Sequence, residues 1–263
     1  MGSCETKNMA LRSLQKWQGA GNDFLVDVLE QGSAPWWNAQ RARAVCDRHL
    51  GIGADGLLIA SVGSTISMTL YNADGTIAEM SGNGIRCLVA AVRRATGRSD
   101  REMRVNTLAG ERVVSLDLRD DCGIGSVDMG PVTLGGTLEG ALGVAHVGNP
   151  HVVVVDNPDW DDINREEMAA KLAFQLGGAN VEFVQIIDEA HVSIRVIERG
   201  VGWTLACGTG SVATAAVCQQ RGFTGADVMV DNPGGSLRVT LSEGGARLEG
   251  PVKFVANVEW LAG

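Results

Sequence analysis

The 263-residue sequence predicts an α/β protein of two similar halves, each a mostly antiparallel sheet or barrel wrapped around one central helix. Three observations lead there. Thirty-five glycines against five phenylalanines and one tyrosine imply many turns and close backbone approaches, and the apolar segments between them are short and β-branched. Two helical segments, 82–97 and 208–222, resemble each other: each opens from a Gly-x-Gly turn, runs through small and aliphatic residues, and ends in basic or amide residues before a glycine. Both are apolar nearly all round, which calls for burial on most sides. The intervals match too, because a strand ending in "YNADG" precedes the first turn and one ending in "VIERG" the second.

Taken in order, strands are expected at 22–29, 56–62, 67–75, 103–110, 111–118, 125–130, 145–156, 181–188, 191–200, 227–231, 236–244, 246–250 and 254–261, most with Gly, Asn or Asp at an end. Helices are expected at 38–51, 82–97, 164–177 and 208–222, each closing on glycine. The chain divides into an N-terminal α/β domain at 1–128 and a C-terminal one at 129–252, with the last strand, 253–263, returning to the first.

The totals exclude several classes of function. A formal charge of −9, with 22 basic and 31 acidic side chains and no basic cluster, argues against nucleic acid as a partner. No apolar run approaches the ~20 residues needed to cross a bilayer, and the N-terminal segment lacks the apolar core of a signal peptide, so a cytoplasmic protein is expected. The six cysteines are scattered, with no C-x-x-C pair and no histidine at ligand spacing, so no metal site is expected.

The chemistry concentrates at the two matched turns, "SGNG" from Ser81 and "CGTG" from Cys207. Free N–H groups and the helix dipole make a helix start an anion site, and glycine there lets a ligand reach the backbone. Neither turn has the length and lysine of a phosphate loop, so a small carboxylate held between the two helix ends is the expected ligand. Cys207 stands at such an N-terminus, where a thiol pKa falls below its ordinary ~8.5. A thiolate beside a bound carboxylate can take the proton from the adjacent carbon, with Ser81 on the opposite face. Cys87 reads as core packing.

At these residues the sequence resembles the diaminopimelate epimerases and related pyridoxal-independent racemases and epimerases. The likeness runs through "GAGNDF" (19–24), "DRHLGIGADGLL" (47–58), "YNADG" (71–75), "SGNGIRC" (81–87), "GNPHVVV" (148–154), "NVEF" (180–183), "ERGVG" (198–202) and "ACGTG" (206–210). It implies two pseudo-symmetric domains closing over an amino-acid-like substrate, no cofactor, and a homodimer as an oligomeric option. It also implies a catalytic pair of cysteines on either side of the α-carbon, of which Cys207 is one and Ser81 stands at the place of the other. By the same likeness the amides of Gly82, Asn83, Gly208 and Thr209 hold the reacting carboxylate. Asn22, Asn72, Asn149, Asn180 and Arg199 grip the rest of the substrate, and His151 and Glu198 support the catalytic groups.

Three positions depart from the family pattern. Ser81 replaces a cysteine, and a hydroxyl becomes a base only with another base beside it. Trp203 replaces a glutamate four residues before Cys207, an exchange expected to alter charge and volume near the thiol. Gln18 replaces histidine and keeps hydrogen bonding. Several readings are compatible with Ser81: a deliberate Cys→Ser exchange, a hydroxyl that returns the second proton, one-base chemistry giving isomerisation, elimination or cyclisation, or a binder without catalysis. Proton transfer at an α-carbon, with diaminopimelate or a related amino acid as substrate, is the expected activity.

Overall fold

The computed structural model describes residues 10–262. Its first half runs β1 (Ala10–Gly19), β2 (Asn22–Glu30), α1 (Ala39–Cys46), β3 (Gly56–Val62), β4 (Ile66–Asn72), β5 (Ile77–Ala78), α2 (Gly82–Thr96), β6 (Glu102–Thr107), β7 (Gly110–Arg119) and β8 (Cys122–Gly130). After β9 (Thr133–Leu134) the order repeats: β10 (Gly143–His146), β11 (Pro150–Val155), α3 (Asp162–Gln175), β12 (Asn180–Asp188), β13 (His191–Glu198), β14 (Gly202–Thr204), α4 (Gly208–Gln220), β15 (Asp227–Asn232), β16 (Gly235–Ser242) and β17 (Gly245–Ala262).

Pairing repeats with the order. In the first half β2 and β3 are parallel, β3 and β4 antiparallel, β4 and β6 parallel, and β6, β7 and β8 antiparallel. In the second, β11 and β12 are parallel, β12 and β13 antiparallel, β13 and β15 parallel, and β15, β16 and β17 antiparallel. The halves then exchange their ends. β17 pairs with β8 up to Lys253 and from there with β1, which pairs with β2 and closes a barrel around α2. In the other direction β8 leads into β9, which pairs with β10 and closes the second ring around α4.

The apolar surfaces of α2 and α4 fit this enclosure. Every residue from Gly82 to Val92 is buried, and so is nearly every one from Gly208 to Cys218. Cys87 is part of this core. The outer helices cover the other faces: α1 packs on Leu14, Leu25 and Leu57, and α3 on Val152, Val154, Val181 and Phe183. A capping box at Asp161 and Asn164 starts α3.

Several expected boundaries move. The helix read over 38–51 stops at Cys46, because the Asp47 carboxylate accepts the His49 and Leu50 N–H groups, both at 2.7 Å, and turns the chain. The strand read over 145–156 is two, broken at Gly148, whose φ of 84° is left-handed. The strands read at 246–250 and 254–261 are one, β17, and β1 falls where no strand was expected.

Candidate active site

Ser81 and Cys207 hold the same station in the two halves. Each has an extended backbone, φ −137° and −126°, and its side chain caps the helix that follows. Ser81 Oγ accepts the Gly84 N–H at 3.0 Å, and Cys207 Sγ accepts the Gly210 N–H at 3.4 Å. Serine is among the best N-cap residues, so the exchange at 81 suits the helix whatever it does to the chemistry.

The two helix starts meet. A methyl group added to Gly208 would lie 3.5 Å from Gly82 Cα and 3.8 Å from the Asn83 nitrogen. Leu248 of β17, fully buried, wedges beneath both: a methyl on Gly82 or Gly208 would come within 2.7 or 2.9 Å of its Cδ2. Glycine at these two positions therefore makes room for the Leu248 side chain against both helix starts. Two cavities, about 600 and 430 Å³, lie elsewhere: the first beside Ala95 at the far end of α2, the second beside Gln219 and Gln220 at the far end of α4.

Strand alternation sets what surrounds Cys207. On β11 and β12, Val152, Val154, Val181 and Phe183 face α3, so His151 and Glu182 face inward. Both are wholly buried, with His151 Nδ1 2.7 Å from Glu182 Oε1 and His151 Nε2 2.8 Å from Asn149 Oδ1. Glu182 Oε2 has no partner among the described residues. On β13 and β14 the same alternation turns Glu198 and Thr204 inward, and Thr204 Oγ1 donates to Glu198 Oε1 at 2.8 Å. Burial, with the Glu182 charge, raises the Glu198 pKa above the ordinary carboxylate range.

This environment reverses the expected thiol shift. Cys207 is only 5% exposed, and its burial, together with the Glu198 and Glu182 carboxylates, pushes its pKa well above the ordinary value. The Gly210 N–H and the Thr209 hydroxyl, 3.5 Å from the sulfur, pull the other way and are outweighed. Cys207 is thus held as a thiol, with the Glu198 carboxyl beside it.

Trp203 is also corrected. It pairs with Ile197 and turns outward, where its ring packs 6.2 Å from that of Phe183 and its Nε1 donates to Glu166 Oε1 on α3 at 2.8 Å. Its bulk lies on the sheet face away from Cys207.

The remaining candidates sit as follows. Gln18 Oε1 accepts the Gly21 N–H at 3.0 Å and shapes the β1–β2 turn, after which Asn22 Nδ2 donates to Asp55 Oδ2 at 2.6 Å. Asn72, closing β4, bonds Thr76 Oγ1 at 3.0 Å. Asn180 stands opposite His151 in the parallel β11–β12 register, and its Oδ1 accepts the Arg199 N–H at 2.8 Å. Arg199 itself is exposed. Glu182 carries no signal in the sequence: between Val181 and Phe183 it reads as the polar face of an alternating strand, and only the packing of those two residues against α3 turns it inward. Asn232, which accepts the Cys207 N–H at 3.3 Å, carries none either.

Among solved structures, a protein described as a predicted epimerase from Pseudomonas aeruginosa matches with a TM-score of 0.74 over 96% of this chain and 100% of its own, at 14% identity. A hydroxyproline epimerase from Agrobacterium vitis matches with a TM-score of 0.69 over 97% and 92%, also at 14% identity. At such identities the likeness is one of fold alone. Sequence narrows this. The diaminopimelate epimerase family profile matches residues 15–135 and 143–255. A diaminopimelate epimerase from Xanthomonas euvesicatoria pv. vesicatoria is 36% identical over 93% of this chain and 95% of its own, and one from Synechocystis sp. is 35% identical over 94% and 98%. The chain belongs to the diaminopimelate epimerase family and is an isomerase of the epimerase class.

Proposed function

We propose that this protein inverts the α-carbon of diaminopimelate or a closely related amino acid. In this reading the substrate carboxylate lies on the amides of Gly82, Asn83, Gly208 and Thr209. Cys207 removes or returns a proton on one face, and Ser81 serves the other. The observation that carries it is the pair of capping side chains at two facing helix starts, with the Glu198 and Glu182 carboxylates gathered at Cys207.

Proton transfer through Cys207 begins with Glu198 accepting the thiol proton, which yields a thiolate that acts as the base: it takes the α-proton while the C–H electron pair passes into the substrate carboxylate. His151, joined to Glu182 and Asn149, stands next in the same polar group. The concentration of carboxylates there suits an α-ammonium, which favours an amino acid over a hydroxy acid. Asn22, Asn72, Asn149, Asn180 and Arg199 are assigned to the distal end of the substrate, and the units 1–128 with 253–263 and 129–252 to the two jaws. A small-molecule substrate is the partner this reading requires.

Incubation in heavy water with diaminopimelate isomers tests it. Deuterium appearing at the α-carbon, with interconversion of isomers, is the expected result; unlabelled, unchanged substrate that nevertheless binds would leave only an amino-acid binder.

A further inference from the structure

Arg86 lies on α2, just over a turn beyond Ser81, and is wholly buried. Its two hydrogen bonds go to Gly82 O, 3.0 Å from Nη1, and Asn83 Oδ1, 2.8 Å from Nη2, while Nε has no partner among the described residues. A buried cation without a carboxylate partner is unfavourable for folding. Room is nevertheless made for it: a methyl on Gly125 of β8 would fall 2.9 Å from its Cδ, and one on Gly250 of β17 would fall 2.8 Å from Nη2. Burial lowers its pKa to about 10, which leaves it charged at neutral pH. The corresponding residue of α4, five beyond the cap, is Val212, so a helix in this setting packs without a cation.

Both acceptors belong to the turn assigned above to the substrate carboxylate. Gly82 O and the Asn83 N–H are the two ends of one peptide unit, so a guanidinium on the oxygen draws charge through the unit and makes that N–H a stronger donor. The Asn83 carboxamide is polarised in the same way, and with its oxygen held by Arg86 its NH₂ end is the one left to donate. When the α-proton departs, the carboxylate gains the negative charge of an enediolate. Donors aimed where charge develops act on the transition state more than on the bound ground state.

We propose that Arg86 is a positioning residue that, through the Gly82–Asn83 peptide and the Asn83 carboxamide, strengthens the hydrogen bonds stabilising the deprotonated substrate. The proposal rests on the carboxylate placement of the preceding subsection. It goes further by giving the Ser81 half its own part in the reaction, an electrostatic one.

The test measures kcat and KM for α-proton exchange in heavy water, and thermal unfolding, for wild type, Arg86→Met and Arg86→Lys. Arg86→Met is expected to remain folded and to lose roughly a hundredfold in kcat with little change in KM, the scale of losing an oxyanion donor. Arg86→Lys should recover part of the loss. Combining Arg86→Met with Asn83→Ala should cost less than the product of the two single losses, because both act on one donor set. Should Arg86→Met fail to fold, a reduced kcat in a stably folded Arg86→Lys supports the proposal and a wild-type kcat overturns it. A folded Arg86→Met with wild-type kcat, or with its loss confined to KM, overturns it while wild-type exchange leaves the reading of the site standing; a wild type that exchanges nothing sinks both.

Discussion

The two halves share strand order, pairing and helix caps, and differ in what the caps face. Register makes the comparison position by position. Phe24 opposes Gly56 on the parallel pair of the first half as His151 opposes Asn180 on that of the second. Two residues further along, Leu58 stands where Glu182 does. Asn72, opposite Gly56, stands where Glu198 stands opposite Asn180 (the neighbouring Val181 pairs with Ile197). The first half thus presents a phenyl ring, an isobutyl group, a carboxamide and a serine; the second presents an imidazole, two carboxylates and a thiol. A duplicated scaffold guarantees two aligned side chains and two amide-rich helix ends. It does not make them equal acids and bases, which depend on single inward positions of the surrounding strands.

The largest break in the comparison comes from Cys207→Ala, which should lower α-proton exchange by about 10³-fold or more, the scale of a positioned general base; full exchange in this variant would refute the assignment. Next, Ser81→Cys should restore symmetry and raise epimerisation of diaminopimelate roughly tenfold or more, since a thiol ionises far more readily than a hydroxyl. An unchanged rate would show that the first half does not limit the reaction. In the wild type, the isomer whose α-hydrogen faces Cys207 should exchange with solvent faster than it inverts, through removal and return on one face. The opposite isomer should exchange no faster than it inverts, and mass spectrometry with chiral separation decides.

Smaller effects sharpen the picture. Removing the Glu182 charge with Glu182→Gln should lower the pKa values of both Glu198 and Cys207, because that carboxylate raises both. The pH–rate profile should therefore move toward lower pH. A raised carboxyl pKa means the folded state holds its proton more tightly than the unfolded chain, so stability is lost as pH rises from the ordinary glutamate range through the elevated value. Glu198→Gln should accordingly raise the melting temperature at pH 8 and change it little at pH 4. The smallest kinetic effect is expected from Trp203→Phe, which removes the bond to Glu166 on the far face: kcat stays as in the wild type, and stability falls by about 1 kcal/mol.

Much of this was legible in the sequence because periodicity and turn chemistry are local. The repeated Gly-x-Gly helix starts announced both the duplication and the facing termini, and the family motifs contain His151, Glu182, Glu198 and Cys207, which the fold brings together. What was missed depended on distant contacts. β1 carries Arg12, Gln15 and Lys16 and reads as polar, yet Leu14 and Trp17 are buried and Gln15 Nε2 donates to Ala91 O at 3.1 Å. Gly250-Pro251 reads as a strand break. β17 nevertheless continues, because its pairing with β8 runs unbroken through Pro251 and Ile124, while on the other edge the pairing with β16 ends at Glu249 and that with β1 begins at Lys253, which leaves the proline at the switch between those two partners. The thiol shift differs from its expectation for the same reason. A helix start is visible in sequence, whereas the carboxylates of residues 182 and 198 reach Cys207 only through the fold.

The long final strand ties the closure of the first barrel to a distant part of the chain. β1 has its longest pairing with Lys253–Ala262, on the far side of the whole second half in sequence. The first barrel therefore stays open along that seam until the two segments meet, so a half whose other strands are near neighbours in sequence carries one slow, non-local step in its folding.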